Sequence, residues 1–330
     1  MEHNLEDNSL IFEPSEFSAL TVLYPDEMHF FRSIAQPLDL AADVAVITEG
    51  QQPQFLYLVH SGLLRVNKRH DNEIFEVGSI TPNEVFGEAS ILYDAPAGAE
   101  VRTVEACSIF QLPGEQVREI LDANERFQRS LSQLAERRLA ATAVAVNPVF
   151  AKLPQAVREI LLYNAQFVSI DAGEKLFEEG DSDTRFMFLV LGGKAEASMK
   201  HPTDPSKRIV FARISAGDEV GEISIITGKS HAATVTAITP LRLMMINSSS
   251  VHAWRKRYSD FGYGLYACVQ RKLQHSLEAM RKVVGETEAM ARTIDTLPPL
   301  NKIAPVAAEK KDKAEKKGKA AVKGTDKDSG

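Results

Sequence analysis

Two stretches of this sequence set a glycine beside a carboxylate in a context suited to holding a small anion. The first reads Thr81-Pro82-Asn83-Glu84-Val85-Phe86-Gly87-Glu88-Ala89-Ser90, followed by Pro96-Ala97-Gly98-Ala99-Glu100-Val101. The second reads Ser215-Ala216-Gly217-Asp218-Glu219-Val220-Gly221-Glu222-Ile223-Ser224, followed by Ser230-His231-Ala232-Ala233-Thr234-Val235. A short helical turn opening at Gly-Glu leaves backbone N–H groups unpaired, and these donors with the turn's dipole favour negative charge. Glycine lets the backbone approach a ligand closely. A carboxylate next to it can accept a hydroxyl. This is binding chemistry, since no nucleophile–base pair accompanies it.

The elements that must position these residues occur twice. Thr48-Glu49-Gly50 precedes Phe55-Leu56-Tyr57-Leu58-Val59-His60-Ser61-Gly62, and Glu178-Glu179-Gly180 precedes Phe186-Met187-Phe188-Leu189-Val190-Leu191-Gly192-Gly193. With the Gly-Glu stretches the offsets are 130, 131 and 134 residues, a drift that loop insertions produce. Apolar segments at 166–170, 174–178, 185–191, 208–214, 232–237 and 241–246 are short, rich in Val, Ile, Phe and Thr, and end in turn residues. They predict antiparallel strands closing into a jelly roll or barrel.

Helical spacing follows each set of strands. Val117, Ile120, Leu121, Phe127, Leu131 and Leu134 recur at three- and four-residue steps. Later, Tyr266, Leu273 and Met280 repeat every seven, with Leu277 and Val284 offset by four. Two heptads are too few to specify a coiled coil, so packing in cis is favoured over a homodimer through 262–292. The expected organisation is mainly β with flanking α: a helical or irregular segment at 1–35, a first barrel at 36–113, linker helices at 114–164, a second barrel at 165–250, a C-terminal helix at 251–293 and a disordered Lys-rich tail at 294–330.

The doubled Gly-Glu stretches, within the doubled strand layout, resemble the phosphate-binding cassette of the cyclic nucleotide-binding domain family. That family includes kinase regulatory subunits, gated channels and catabolite-activator-type proteins, and the resemblance covers roughly residues 39–270. It implies two jelly-roll barrels in tandem and cyclic AMP or cyclic GMP as ligand. It also implies that Glu88 and Glu222 accept a ribose 2′-hydroxyl. The family places an arginine ten residues after the glycine as a forked donor to the cyclic phosphate. Here that position is Ala97 in the first copy and His231 in the second. Arg102, five residues past Ala97 and inside the next strand, is not expected to substitute. Losing such a contact, about 1.5–3 kcal/mol, weakens affinity roughly ten- to 150-fold. An imidazole recovers part of this when protonated, so binding should strengthen at lower pH.

The expected ligand residues in the second copy are Gly221, Glu222, Ile223, Ser224, His231, Ala232 and Thr234; Tyr263 and Tyr266 lie where a following helix could cover a base. In the first copy Gly87, Glu88, Ala89 and Ser90 are expected to keep the turn rather than a ligand. Net charge is −7, and residues 309–330 hold eight lysines against five acids, leaving about −10 on the rest. An acidic body argues against nucleic acid as partner. No apolar run is long enough for a membrane span. Cys107 and Cys268 make neither a disulfide framework nor a zinc cluster, which points to the cytoplasm. The eight histidines lack the close pairing of a cupin metal site, so neither an enzyme nor a metal or other cofactor is expected. Two readings stay open: a weak cyclic-nucleotide sensor signalling to a protein partner through the C-terminal helix, or a lapsed tandem barrel that serves as a docking scaffold.

Overall fold

A computed structural model describes residues 12–70, 73–201, 204 and 206–284. The Lys-rich tail expected at 294–330 lies outside the described residues. The chain divides into two units, Met1–Val146 and Asn147–Gly330.

Unit 1 contains strands β1 (Gln36–Leu40), β2 (Ala45–Ile47), β3 (Phe55–Ser61), β4 (Leu64–His70), β5 (Glu73–Ile80), β6 (Val85–Phe86), β7 (Glu100–Thr103) and β8 (Cys107–Pro113). Unit 2 contains β9 (Gln166–Ile170), β10 (Lys175–Phe177), β11 (Phe186–Gly192), β12 (Ala195–Lys200), β13 (Arg208–Ile214), β14 (Glu219–Val220), β15 (Thr234–Ala237) and β16 (Leu241–Asn247). The sheet orders are β1-β8-β3-β6 and β2-β7-β4-β5 in the first unit, β9-β16-β11-β14 and β10-β15-β12-β13 in the second. Every pairing is antiparallel, and the two units have one topology. Even the irregularities correspond: the register shifts between Val59 and Ser61 in β3 and between Val190 and Gly192 in β11. Such a bulge bends its strand, as closing a jelly roll requires.

The helices of unit 1 are α1 (Pro25–Ile34), α2 (Glu88–Tyr93), α3 (Gly114–Ala123) and α4 (Glu125–Val146). The α3–α4 break falls at Asn124, whose side-chain oxygen accepts from the N–H groups of Arg126 and Phe127 at 3.0 Å and so caps the new helix. Their apolar faces join Phe12, Phe17, Leu20 and Phe31 over Leu56, Leu58, Phe110 and Leu112. The acidic N-terminal segment is therefore part of the first core from Phe12 onward.

In unit 2, α5 (Gln155–Tyr163) precedes the strands, α6 (Glu222–Thr227) follows β14, and α7 (Ser248–Arg257) and α8 (Ser259–Val284) follow β16. Tyr258, with extended φ and ψ, separates α7 from α8. The heptad positions Tyr266, Leu273 and Met280 are all buried, and Met280 packs with Met199 and Leu277. The seam of α8 is covered by its own barrel. Among the described residues no helix is long and apolar enough to cross a membrane.

Candidate functional site

In both units the cassette begins at a glycine that the backbone demands. Gly87 and Gly221 have φ of 86° and 89°, the left-handed region that side chains rarely adopt. A Cβ at Gly87 would lie 2.9 Å from the Phe55 carbonyl oxygen, and one at Gly221 would lie 3.1 Å from that of Phe186. The glycine thus lets the strand cross tightly into the short helix that carries Glu88 or Glu222.

The second unit encloses a cavity of about 260 Å³. That is just under the roughly 300–1,000 Å³ of typical small-molecule sites. The cassette supplies Gly221, Glu222, Ile223, Ser224, His231 and Ala232, while Phe177, Met199 and Phe211 give it an apolar wall. Helix α8 lays Arg271, Lys272, Leu273, His275 and Ser276 along the remaining side. Thr234 does not line it. Its buried hydroxyl oxygen accepts from the Glu179 N–H at 3.0 Å and from the Arg208 guanidinium at 2.5 Å. Tyr263 is exposed and Tyr266 buried, and neither lines the cavity, so the covering residues come one to two turns later on α8 than expected.

His231, ten residues after Gly221, is buried and already engaged. Its ring stacks on Phe177 with centroids 3.8 Å apart and planes at 14°. Nε2 donates to the Asp183 carbonyl at 3.0 Å, and Nδ1 lies 3.4 Å from Ser224 Oγ, whose own proton goes to the Gly221 carbonyl at 2.8 Å. Asp183, held at about 2 chiefly by hydrogen bonds from Arg185, adds a negative charge nearby.

The strongest electrostatic feature centres on Lys272, a residue outside the cassette sequence. Lys272 reaches from α8 into the cassette, its Nζ 2.9 Å from Glu219 Oε1 and 3.1 Å from Glu222 Oε1, and it also donates to the Glu219 carbonyl. Cys268 Sγ donates to Glu219 Oε1 at 2.7 Å, and Asn147 donates to the other Glu219 oxygen. Burial works to raise Glu219, yet Lys272, Cys268 and Asn147 together hold it below the usual carboxylate range. Burial pushes Glu222 up instead; Lys272 counters only in part, and the Glu219 charge adds to the rise. Burial would lower Lys272, but the two carboxylates reverse this and keep it firmly protonated. Burial raises the Cys268 thiol, and Glu219 and Glu222 oppose its ionisation further. Glu222 Oε2 faces no hydrogen-bond partner among the described residues. Glu219, Glu222 and Cys268 bring ligand atoms within 4.8 Å of one another. The Lys272 ammonium already serves both carboxylates, so this donor set is neutralised by the protein's own cation.

Unit 1 repeats the arrangement in simpler form. Arg138 on α4 lies 3.3 Å from the buried Glu88 and 3.2 Å from Glu84, and donates to the Val85 carbonyl. Glu88 is thus an ion-pair partner, beyond keeping the turn. Ala89 and Ser90 extend α2, with Ser90 buried. Ala97 is packed in a core cluster with Ile47, Tyr57, Phe86 and Val101, and Tyr57 stacks on Phe86 at 4.8 Å. Arg102 points elsewhere, bound to Glu100 and Asp43. One signal for the helix cations was present in the sequence: Arg138 and Lys272 stand 134 residues apart, the offset of Gly87 to Gly221 and of Glu88 to Glu222.

The doubled jelly roll and its two cassettes agree with comparison to known families. The cyclic nucleotide-binding domain matches residues 37–124 and again 167–258. The chain belongs to that family. It is 28% identical to a cAMP-dependent protein kinase regulatory subunit of Mycosarcoma maydis over 59% of this chain and 37% of that one. It is 27% identical to the regulatory subunit of Yarrowia lipolytica over 60% of this chain and 48% of that one. It therefore spans less than half the length of these relatives. Among solved structures, the regulatory domain of Toxoplasma gondii PKA with cAMP matches at 22% identity and a TM-score of 0.36, covering 79% of this chain and 94% of that one.

Proposed function

We propose that this chain is a non-enzymatic, cyclic-nucleotide-receptor-like regulatory protein of the cytoplasm, in which the second barrel takes a nucleotide-type ligand weakly. Binding is passed to a protein partner through the C-terminal helix. The observation that carries this reading is a single cavity walled on one side by the cassette and on the other by α8. A ligand filling it touches both, so its binding energy depends on where α8 sits. Cyclic AMP and cyclic GMP are the first candidates, by kinship with regulatory subunits named for cAMP. The first barrel is read as lapsed, because Ala97 is part of its core.

Thermal shift with cyclic AMP and cyclic GMP tests this. A ligand that binds only the folded state raises its stability by mass action, about 2.7 kcal/mol at a hundred times Kd. Stabilisation by millimolar ligand, larger in His231→Arg, is the expected result. No response to either ligand in the wild-type protein or in that variant would leave the second reading, a docking scaffold. The engagement of His231 by the Asp183 carbonyl at Nε2 and by the Phe177 ring favours that alternative.

A further inference from the structure

Five groups that can carry positive charge line the cavity of unit 2: Arg213, His231, Arg271, Lys272 and His275. Three are already committed. Arg213 is paired with Glu196 at 2.7 Å, Lys272 with Glu219 and Glu222, and His231 is held between Phe177 and the Asp183 carbonyl. Arg271 is different. It is exposed, and among the described residues its guanidinium meets only the Cys268 sulfur, at 3.8 Å. His275 is also exposed, one helical turn along the same face of α8, with no ion-pair partner among the described residues. The turn that carries Arg271 already reaches the cassette, since neighbouring Lys272 touches Glu222. On the inner side, the buried Glu222 Oε2 faces no donor among the described residues.

We propose that this cavity reads the charge of its ligand from the covering helix. Arg271, with His275, is the anion anchor in place of the arginine absent from the cassette. The ligand is a mononucleotide whose sugar hydroxyl donates to Glu222 and whose phosphate faces α8. This rests on the nucleotide-site reading above and deepens it. A guanidinium offers forked, charge-assisted donors suited to phosphate. On a helix at the solvent edge, it also couples phosphate binding directly to the position of α8.

Calorimetric titration of the full chain with cyclic AMP, AMP and adenosine distinguishes the possibilities. The expected result is that at least one nucleotide binds about ten-fold or more tighter than adenosine, the gain of one charge-assisted contact. In Arg271→Gln that nucleotide should fall to the level of adenosine, with adenosine itself unchanged and the melting temperature preserved because the side chain is exposed. Arg271→Lys should retain part of the preference. Equal binding of adenosine and both nucleotides to the wild-type chain would overturn the anchor and leave the nucleotide-type site standing. A preference that survives Arg271→Gln, or one that emerges only in His231→Arg, would also overturn it. Failure of all three ligands to bind the wild-type chain and His231→Arg would remove the underlying site as well.

Discussion

Lys272 Nζ lies 3.1 Å from Glu222 Oε1, and Arg138 Nη1 lies 3.3 Å from Glu88 Oε2. In each repeat the cassette glutamate is thus bound to a cation from the helix that follows the barrel. The contact joins segments 50 residues apart in sequence and ties each helix to the turn it covers. In unit 2 the cost of breaking it is high, because Glu219 and Glu222 are almost fully buried.

Lys272→Met should therefore destabilise unit 2 by about 3 kcal/mol or more, the cost of leaving a buried charge unpaired. The triple variant Lys272→Met, Glu219→Gln, Glu222→Gln should recover most of that loss, since an uncharged cluster has no ion to strand. Urea unfolding followed by the fluorescence of Trp254, the only tryptophan, reads the unit concerned. A single variant as stable as wild type would show that the lysine is not what stabilises the cluster.

Arg138→Met should cost unit 1 about 1–3 kcal/mol, because Glu88 loses its partner while Glu84 remains solvated. Trp254 belongs to α7 in the other unit, so its transition should not move while the far-UV circular dichroism transition of unit 1 shifts. A shift of the tryptophan transition by the same amount would contradict this.

Glu222→Gln should change stability in a pH-dependent way. The folded-state carboxyl is raised above its unfolded value, so its favourable state is the protonated one. Wild-type stability from this group is intact below the unfolded carboxylate range and is lost as pH rises through the folded value. The melting temperature of Glu222→Gln relative to wild type should climb from about pH 4.5 upward. A difference that stays flat from pH 4.5 to 8 would refute the assignment.

Much of the fold could be read from residue types. The strands at 166–170 and 208–214 coincide with β9 and β13 because their β-branched and aromatic residues end in turn chemistry. Strand β12 carries no such signal. Ala195-Glu196-Ala197-Ser198-Met199-Lys200 has no β-branched residue, and it is a strand because β13 and β15 pair with it on either side. The cassette turn was legible through Gly221 and Glu222, whose roles are local. Thr234 reads as a ligand group in the sequence because sequence order does not show that Arg208, from β13, occupies its hydroxyl. Lys272 and Arg271 were hidden among the ordinary charges of an amphipathic helix. Only the repeat offset singles out Lys272, and Arg271 needs the cavity itself.

Helix α8 runs unbroken from Ser259 to Val284, fixed near its start by Phe261 against Trp254 and Phe150. From Phe261 to Val284 such a rod measures about 35 Å at 1.5 Å per residue. Tilting it by about 10° about the Phe261 anchor would swing the far end by about 6 Å, while Arg271, less than halfway along, would travel under 3 Å. The helix is a lever with its short arm at the cavity, so a sub-nanometre adjustment there emerges enlarged at its far end.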